Sequence, residues 1–250
     1  SANCFRECKF VSMGVPIMPI QDRIVLITGA AGGLGPTVCR AFAGAGASLA
    51  LVGSRPEPLQ ALAAELSLPA GRVLTHAANL TDPAAVAGLA GAVQAKFGKA
   101  EIVIHLVGGY KGGTPLADLD LAEVEAMLDQ HLRTTFHMVR AFLPLTLAAR
   151  WGRFVVVSTP MAQNPAARQG AYAIGKAAQD VLMMTLAQEL KGTGVTANCL
   201  QVKSIESAPP DPAKPRTGTA PAEIAAALLW LCSDEAGATN GARLPLFGRA

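Results

Sequence analysis

The segment that most limits how this chain can fold is Thr28-Gly29-Ala30-Ala31-Gly32-Gly33-Leu34-Gly35. It lies between an apolar run at Arg23 to Ile27 and a stretch of helical spacing that starts at residue 34. Glycine at 29, 33 and 35 lets the backbone approach a bulky anion where a Cβ would collide. A helix opening directly after the turn aims unpaired N–H groups at that anion. Glycines alone mark only a tight strand-to-helix turn. Strand, glycine turn and helix in this order predict a pyrophosphate cradle. Pro36 falls in the first helical turn, where a missing N–H costs little.

Further short apolar runs recur at Ser48 to Val52, Val73 to Ala77, Ile102 to Leu106, Arg153 to Val157, Thr196 to Leu200 and Arg243 to Leu246. Ala-rich segments with helical spacing separate them, at 34–45, 56–66, 83–97, 121–148, 171–191 and 221–232. Alternating strand and helix predict an α/β chain of the Rossmann type, a doubly wound seven-stranded parallel sheet with helices on both faces. Ligands of such sheets bind at the carboxyl ends of the strands. No Pro/Gly/Ser linker divides the 250 residues, so one domain over 20–250 is expected, behind a leader at 1–19 that is disordered or left over from expression. The tract from Glu206 to Pro221, rich in proline and small residues, reads as a surface loop near the site mouth.

A 51% hydrophobic and 16% charged composition suits a large buried core. The net charge of +3 is small and ungathered, which argues against nucleic acid and acidic membranes and for a small-molecule role. Cys4, Cys8, Cys39, Cys199 and Cys232 are odd in number and lack the paired spacing of a zinc site, so reduced, mostly buried thiols are expected. The histidines His76, His105, His131 and His137 show no metal spacing, and no metal is expected. Without a run of about 18 apolar residues or a signal peptide, the chain reads as soluble and cytoplasmic.

The second strand ends in Val52-Gly53-Ser54-Arg55 with no carboxylate. An acidic side chain there would accept from a ribose 2′-hydroxyl and repel a 2′-phosphate, whereas Arg55 offers a charge-assisted contact to phosphate. NADP is therefore favoured over NAD, although Arg55 as a plain surface residue or an adenine stack stays open. Further on, Tyr172-Ala173-Ile174-Gly175-Lys176 sets phenol and ammonium on one helix face. A lysine cation beside a tyrosine stabilises the phenolate and lowers its pKa, giving a general acid/base. Ser158 and Thr159 follow the fifth strand, where a hydroxyl can hold a substrate oxygen or merely bond local backbone. Tyr110 and Lys111, after the fourth strand, either reach substrate or belong to a plain loop.

A T-G-x-x-x-G-x-G turn, a Y-x-x-x-K some 140 residues later and a length near 250 together resemble the short-chain dehydrogenase/reductase family over about residues 20 to 250. The resemblance implies an oxidoreductase that moves hydride between a nicotinamide cofactor and a carbonyl or secondary alcohol. Tyr172 would exchange the proton and Lys176 would also hold the nicotinamide ribose. The family's substrate-orienting serine falls on Thr159, thirteen residues before the tyrosine, with Ser158 as neighbour. Cofactor contacts are implied at Thr28, Gly29, Gly33, Leu34, Gly35, Ser54, Arg55, Asn79, Leu80, Gly108, Tyr172, Lys176 and Ile205. The long helices at 121–148 and 171–191 resemble those that pair subunits, implying a homodimer or homotetramer.

Several positions depart from the family pattern. His105-Leu106-Val107-Gly108 replaces Asn-Asn-Ala-Gly, so the amide pair that steadies the central strand is lost. His131 stands for the asparagine that helps hold a relay water, Asn79 for an aspartate, and Val202-Lys203 for Pro-Gly. These departures motivate an alternative, a cofactor-binding redox sensor or assembly subunit with little catalysis.

Overall fold

A computed structural model describes residues 20–206 and 218–247. The leader at 1–19, with Cys4 and Cys8, and most of the proline-rich tract after Glu206 lie outside the described residues. Seven strands, β1 (Ile24–Thr28), β2 (Ser48–Gly53), β3 (Val73–Ala77), β4 (Ile102–His105), β5 (Gly152–Ser158), β6 (Val195–Val202) and β7 (Arg243–Leu246), form one sheet ordered β3-β2-β1-β4-β5-β6-β7. Every pairing is parallel. The order reverses between β1 and β4, and a crevice opens at that point above the carboxyl ends of the strands.

Helices α1 (Gly35–Gly44), α2 (Pro56–Leu66) and α7 (Pro221–Leu231) pack one face of the sheet. Helices α3 (Pro83–Phe97), α4 (Leu121–Leu128), α5 (Thr134–Ala148) and α6 (Gly170–Glu189) belong to the other. The period-two side-chain alternation of β1 divides the core in two. Val25 and Ile27 join Val38, Phe42 and Leu228 on the first face, while Leu26 joins Phe142 and Met183 on the second. Asp82 and Asp120 accept from the amides of Ala84 and Ala122, both at 2.9 Å, and so start α3 and α4.

The helix expected over 121–148 is interrupted. Between α4 and α5, Asp129–Arg133 forms a π-helical turn. Two kinds of contact accompany it, one within the segment and one from the facing helix. Thr134 and Thr135 donate their hydroxyls back to the carbonyls of Gln130 (2.7 Å) and His131 (2.6 Å), taking acceptors that a regular α-helix gives to amides. On the facing helix, Gly175 comes so near that a Cβ would lie 2.7 Å from the Met127 carbonyl oxygen. The turn carries His131 to the crevice.

Candidate active site

The glycine turn is held by its own backbone. Gly29 has φ of +68° and packs on Leu106, while a Cβ at Gly35 would lie 2.2 Å from the Ala30 carbonyl oxygen and 2.3 Å from that of Gly29. Both glycines are needed for the turn itself. Gly33 differs, since a Cβ there would meet nothing within 4 Å, although the residue borders the crevice. Leu34 precedes α1 without a side-chain cap, and the first turn of α1 holds no acidic residue. The Gly35 N–H is already taken by the Gly32 carbonyl at 3.2 Å and Pro36 has none, so the turn offers an outside anion the positive end of α1 more than a row of free N–H groups.

From this turn a cleft of about 970 Å³ runs over the strand ends. It gathers Gly33, Leu34, Gly108, His131, Ser158, Tyr172, Lys176 and Ile205 from sites scattered along the chain. Thr28, Gly29 and Gly35 do not line it. Ser54, Arg55 and Asn79 sit exposed beyond its wall, at the ends of β2 and β3, and Leu80 is buried beside them. Asn79 Oδ1 accepts from the Thr81 amide and hydroxyl, at 3.1 and 2.8 Å, so its oxygen already shapes the local turn.

Tyr172 is half-buried at the start of α6, with the rings of Tyr110 and His131 edge-on at 5.2 and 5.6 Å. Lys176, one turn on, donates to the Val157 carbonyl at 2.8 Å and to Gln179 Oε1 at 2.9 Å. The expectation that Lys176 sets the acidity of Tyr172 needs correction. Burial pushes the phenol above its ordinary pKa, with Thr159 pulling it down and Tyr110 adding to the rise. Burial also brings Lys176 down to about 8, against the opposing pull of Asp180 and Cys199. The lysine thus spends its bonds on Val157 and Gln179, and Thr159 is the group that favours the phenolate.

Ser158 requires a second correction. Its hydroxyl donates to Asp180 Oδ1 at 2.5 Å, and Arg243 from β7 binds the other carboxylate oxygen at 3.1 Å. A hydroxyl committed to a buried carboxylate is a poor substrate holder, which leaves Thr159 against the phenol. Nothing in the local sequence at 158 announces Asp180, which arrives from the next helix. Its signal is helical spacing: Lys176, Gln179 and Asp180 continue the buried stripe of Met183, Leu186 and Ala187 on α6.

The two histidines at departing positions are both well placed. Thr134 spends its proton on Gln130, so it accepts from His105 Nε2 at 3.1 Å, and His105 Nδ1 in turn accepts from the Thr28 hydroxyl at 2.8 Å. This chain ties β1 to β4 and to the π-turn, and supplies the cross-strand bonding that loss of the amide pair was expected to remove. His131 donates from Nε2 to the Gly109 carbonyl at 3.1 Å. Its Nδ1 is a buried acceptor with no partner among the described residues. Burial first, and then the Lys176 charge, hold both rings neutral, with pKa values near 3. His137, by contrast, bonds the Leu80 carbonyl at 3.0 Å, away from the cleft. Among the described residues no three His, Cys, Asp or Glu side chains gather as a metal site, and no helix is long and apolar enough to cross a membrane.

A parallel sheet with a reversal in strand order, a glycine turn at that reversal and a cleft above it define a Rossmann-type domain. Known proteins narrow the class. The short chain dehydrogenase pattern matches residues 23–213. D-threitol dehydrogenase of Mycolicibacterium smegmatis is 31% identical, over 92% of this chain and 93% of its own. A short chain dehydrogenase of Pseudocercospora fijiensis is 30% identical, over 89% of this chain and 79% of its own. In solved structures, levodione reductase superimposes with a TM-score of 0.82 at 26% identity, covering 91% of this chain and 97% of its own. The chain belongs to the short-chain dehydrogenase/reductase family, and it is an oxidoreductase acting on CH–OH or C=O groups of small molecules.

Proposed function

We propose that this chain is an NADP-dependent oxidoreductase that interconverts a carbonyl and a secondary alcohol, with Tyr172 as the proton donor and acceptor. The observation that carries the reading is the convergence of Tyr172, Lys176 and His131 on the cleft that begins at the glycine turn. The residues fit a dinucleotide. Gly33 is free of packing demands on its open side, the start of α1 is uncapped, and His131 Nδ1 is an unpaired acceptor inside the site. Bound nicotinamide would supply or accept the hydride.

The pyrophosphate would lie against Gly33 and Leu34, with Thr28, Gly29 and Gly35 framing the turn. Arg55 and Ser54 stand where a 2′-phosphate would be met, with no carboxylate there to repel it, and NAD is the weaker alternative. Asn79 and Leu80 flank the adenine end, Gly108 and Ile205 the nicotinamide end. Lys176 would hold the ribose, Thr159 would hold the phenol and orient the substrate oxygen, and His131 would serve proton exchange through its open Nδ1. The raised acidity threshold of Tyr172 keeps the phenol protonated before reaction, which suits donation to a carbonyl.

The reading places one dinucleotide-binding domain over 20–250 in the cytoplasm, as a dimer or tetramer. Exposed Phe136 and Leu147 on α5, with Ile174 and Val181 on α6, support pairing through these helices, and a monomeric mass by light scattering would contradict it. The function is tested with Tyr172→Phe against a panel of ketones, aldehydes and alcohols with NADPH or NADP. The expected result is loss of turnover with NADPH affinity kept. Unchanged turnover of a substrate found by the panel would overturn the assignment, and silence of the wild type beside tight NADPH binding would favour a sensor.

A further inference from the structure

Gln179 lies one turn beyond Lys176 on α6 and has no exposure to solvent (0%). Its orientation follows from its partners. An ammonium only donates and a backbone carbonyl only accepts, so Oε1 must face Lys176 and the amide nitrogen must face the other way. Nε2 donates to Thr135 Oγ1 at 2.8 Å and to the His131 carbonyl at 3.4 Å, and the Thr135 hydroxyl donates to the same carbonyl at 2.6 Å. One buried amide therefore spans from the lysine on α6 to the π-turn that carries His131, and both of its ends are satisfied. A buried polar side chain is costly unless fully bonded, and once bonded it fixes a single arrangement. The bonds of this amide reach Lys176, which lines the cleft, the carbonyl of His131 in the π-turn, and Thr135 at the start of α5, which bonds that same carbonyl.

We propose that Gln179 is a positioning residue of the active site, holding the Lys176 ammonium against the Val157 carbonyl and locking it in one frame with the π-turn of His131. The inference rests on the reading of Lys176 as a cofactor-facing group. With two N–H bonds committed to Val157 and Gln179, the ammonium has one left for the cleft it borders. The charged and titratable groups around it are Asp180 and Tyr172 on its own helix, Cys199 on β6, His105 on β4 and His131 on the π-turn, with Arg243 of β7 bound to Asp180. Among the described residues the Gln179 carbonyl accepts only from this lysine, and it favours the charged form of the lysine. Gln179→Met, nearly the same shape without the carbonyl, makes the proton easier to lose. Gln179→Glu makes it harder to lose.

The test begins on cofactor-free protein labelled with carbon-13 at lysine Cε, the Lys176 signal being identified by its loss in Lys176→Met. The Lys176 titration midpoint is expected to fall by about one pH unit in Gln179→Met and to rise by a comparable amount in Gln179→Glu. Midpoints equal to wild type, or moved the same way in both variants, would overturn the positioning role. NADPH binding, followed by nicotinamide fluorescence between pH 7 and 9, forms the second arm. Loss of affinity at alkaline pH should begin lower in Gln179→Met and higher in Gln179→Glu. Shifted midpoints with NADPH binding that ignores pH in all three proteins would support the Lys176–Gln179 contact and overturn the cofactor role of Lys176. Unshifted midpoints with normal NADPH binding would overturn the Gln179 proposal alone.

Discussion

Gly33 and Gly35 stand two residues apart in one turn, yet the structure assigns them different duties, and alanine at each position separates those duties. At Gly35 a Cβ would sit 2.2 Å from one carbonyl oxygen and 2.3 Å from another, both backbone atoms that cannot swing away. The turn must deform, at about 1–3 kcal/mol as in other overpacked sites. At Gly33 the added methyl meets nothing within 4 Å, and φ lies outside the left-handed region that favours glycine. Gly33→Ala should leave the folded state untouched and restrict only the unfolded chain, a gain of about 0.4–1 kcal/mol. In a domain of this size that corresponds to a rise in Tm of roughly 1–4 °C. The same methyl occupies the open side of the cradle. If it displaces one or two charge-assisted hydrogen bonds to a pyrophosphate, each worth about 1.5–3 kcal/mol, NADPH affinity falls by at least about tenfold. Thermal unfolding of the two variants beside NADPH fluorescence titration provides the assay. Gly33→Ala with wild-type NADPH affinity would refute the cradle and leave the glycines as a tight turn. A stable Gly35→Ala would refute the packing argument.

Stability in acid should follow the two buried histidines. Their pKa values are depressed from 6.5 to about 3, so between these limits the unfolded chain takes up protons that the folded one refuses. Their contribution is present above pH 6.5 and lost as pH falls towards 3, with a slope of up to about 1.4 kcal/mol per pH unit for each ring. Urea midpoints measured from pH 5 to 6.5 should depend on pH less steeply in His105→Asn, and an unchanged slope would count against the buried neutral ring. At the opposite end of the sheet, Trp151 lies between the guanidinium carbons of Arg23 and Arg153, 3.6 and 4.2 Å from its ring, and donates to Asp234 at 2.8 Å. Trp151→Ala should cost about 3 kcal/mol in urea unfolding while NADPH affinity stays at the wild-type value; a matching loss of affinity would show that this clasp reaches the cleft.

The features legible in the sequence are those that a local stretch of chain must satisfy on its own. Strand, turn and helix at residues 23–45 can be read because backbone geometry and side-chain period are local demands. The seven apolar runs found their sheet for the same reason. The Tyr172 to Lys176 spacing was readable because helical geometry alone sets those two residues on one face. The break at Asp129–Arg133 was not readable, because it depends on Gly175 pressing on Met127 as well as on the two threonines beside it.

What belongs to the tertiary structure alone is the partner of each polar group. Ser158 resembles a free hydroxyl until Asp180 and Arg243 are brought to it from α6 and β7. His105 resembles a lost amide until Thr28 and Thr134 close on its two nitrogens. Lys176 reads as the partner of Tyr172 until Val157 and Gln179 accept two of its three N–H bonds. The glycine turn, with the strand before it and the helix after it, is enough to predict an anion cradle. The acidity of the groups above it is a property of burial and of charges far along the chain, as with Lys176 of α6 acting on His105 of β4, which no local reading of the chain contains.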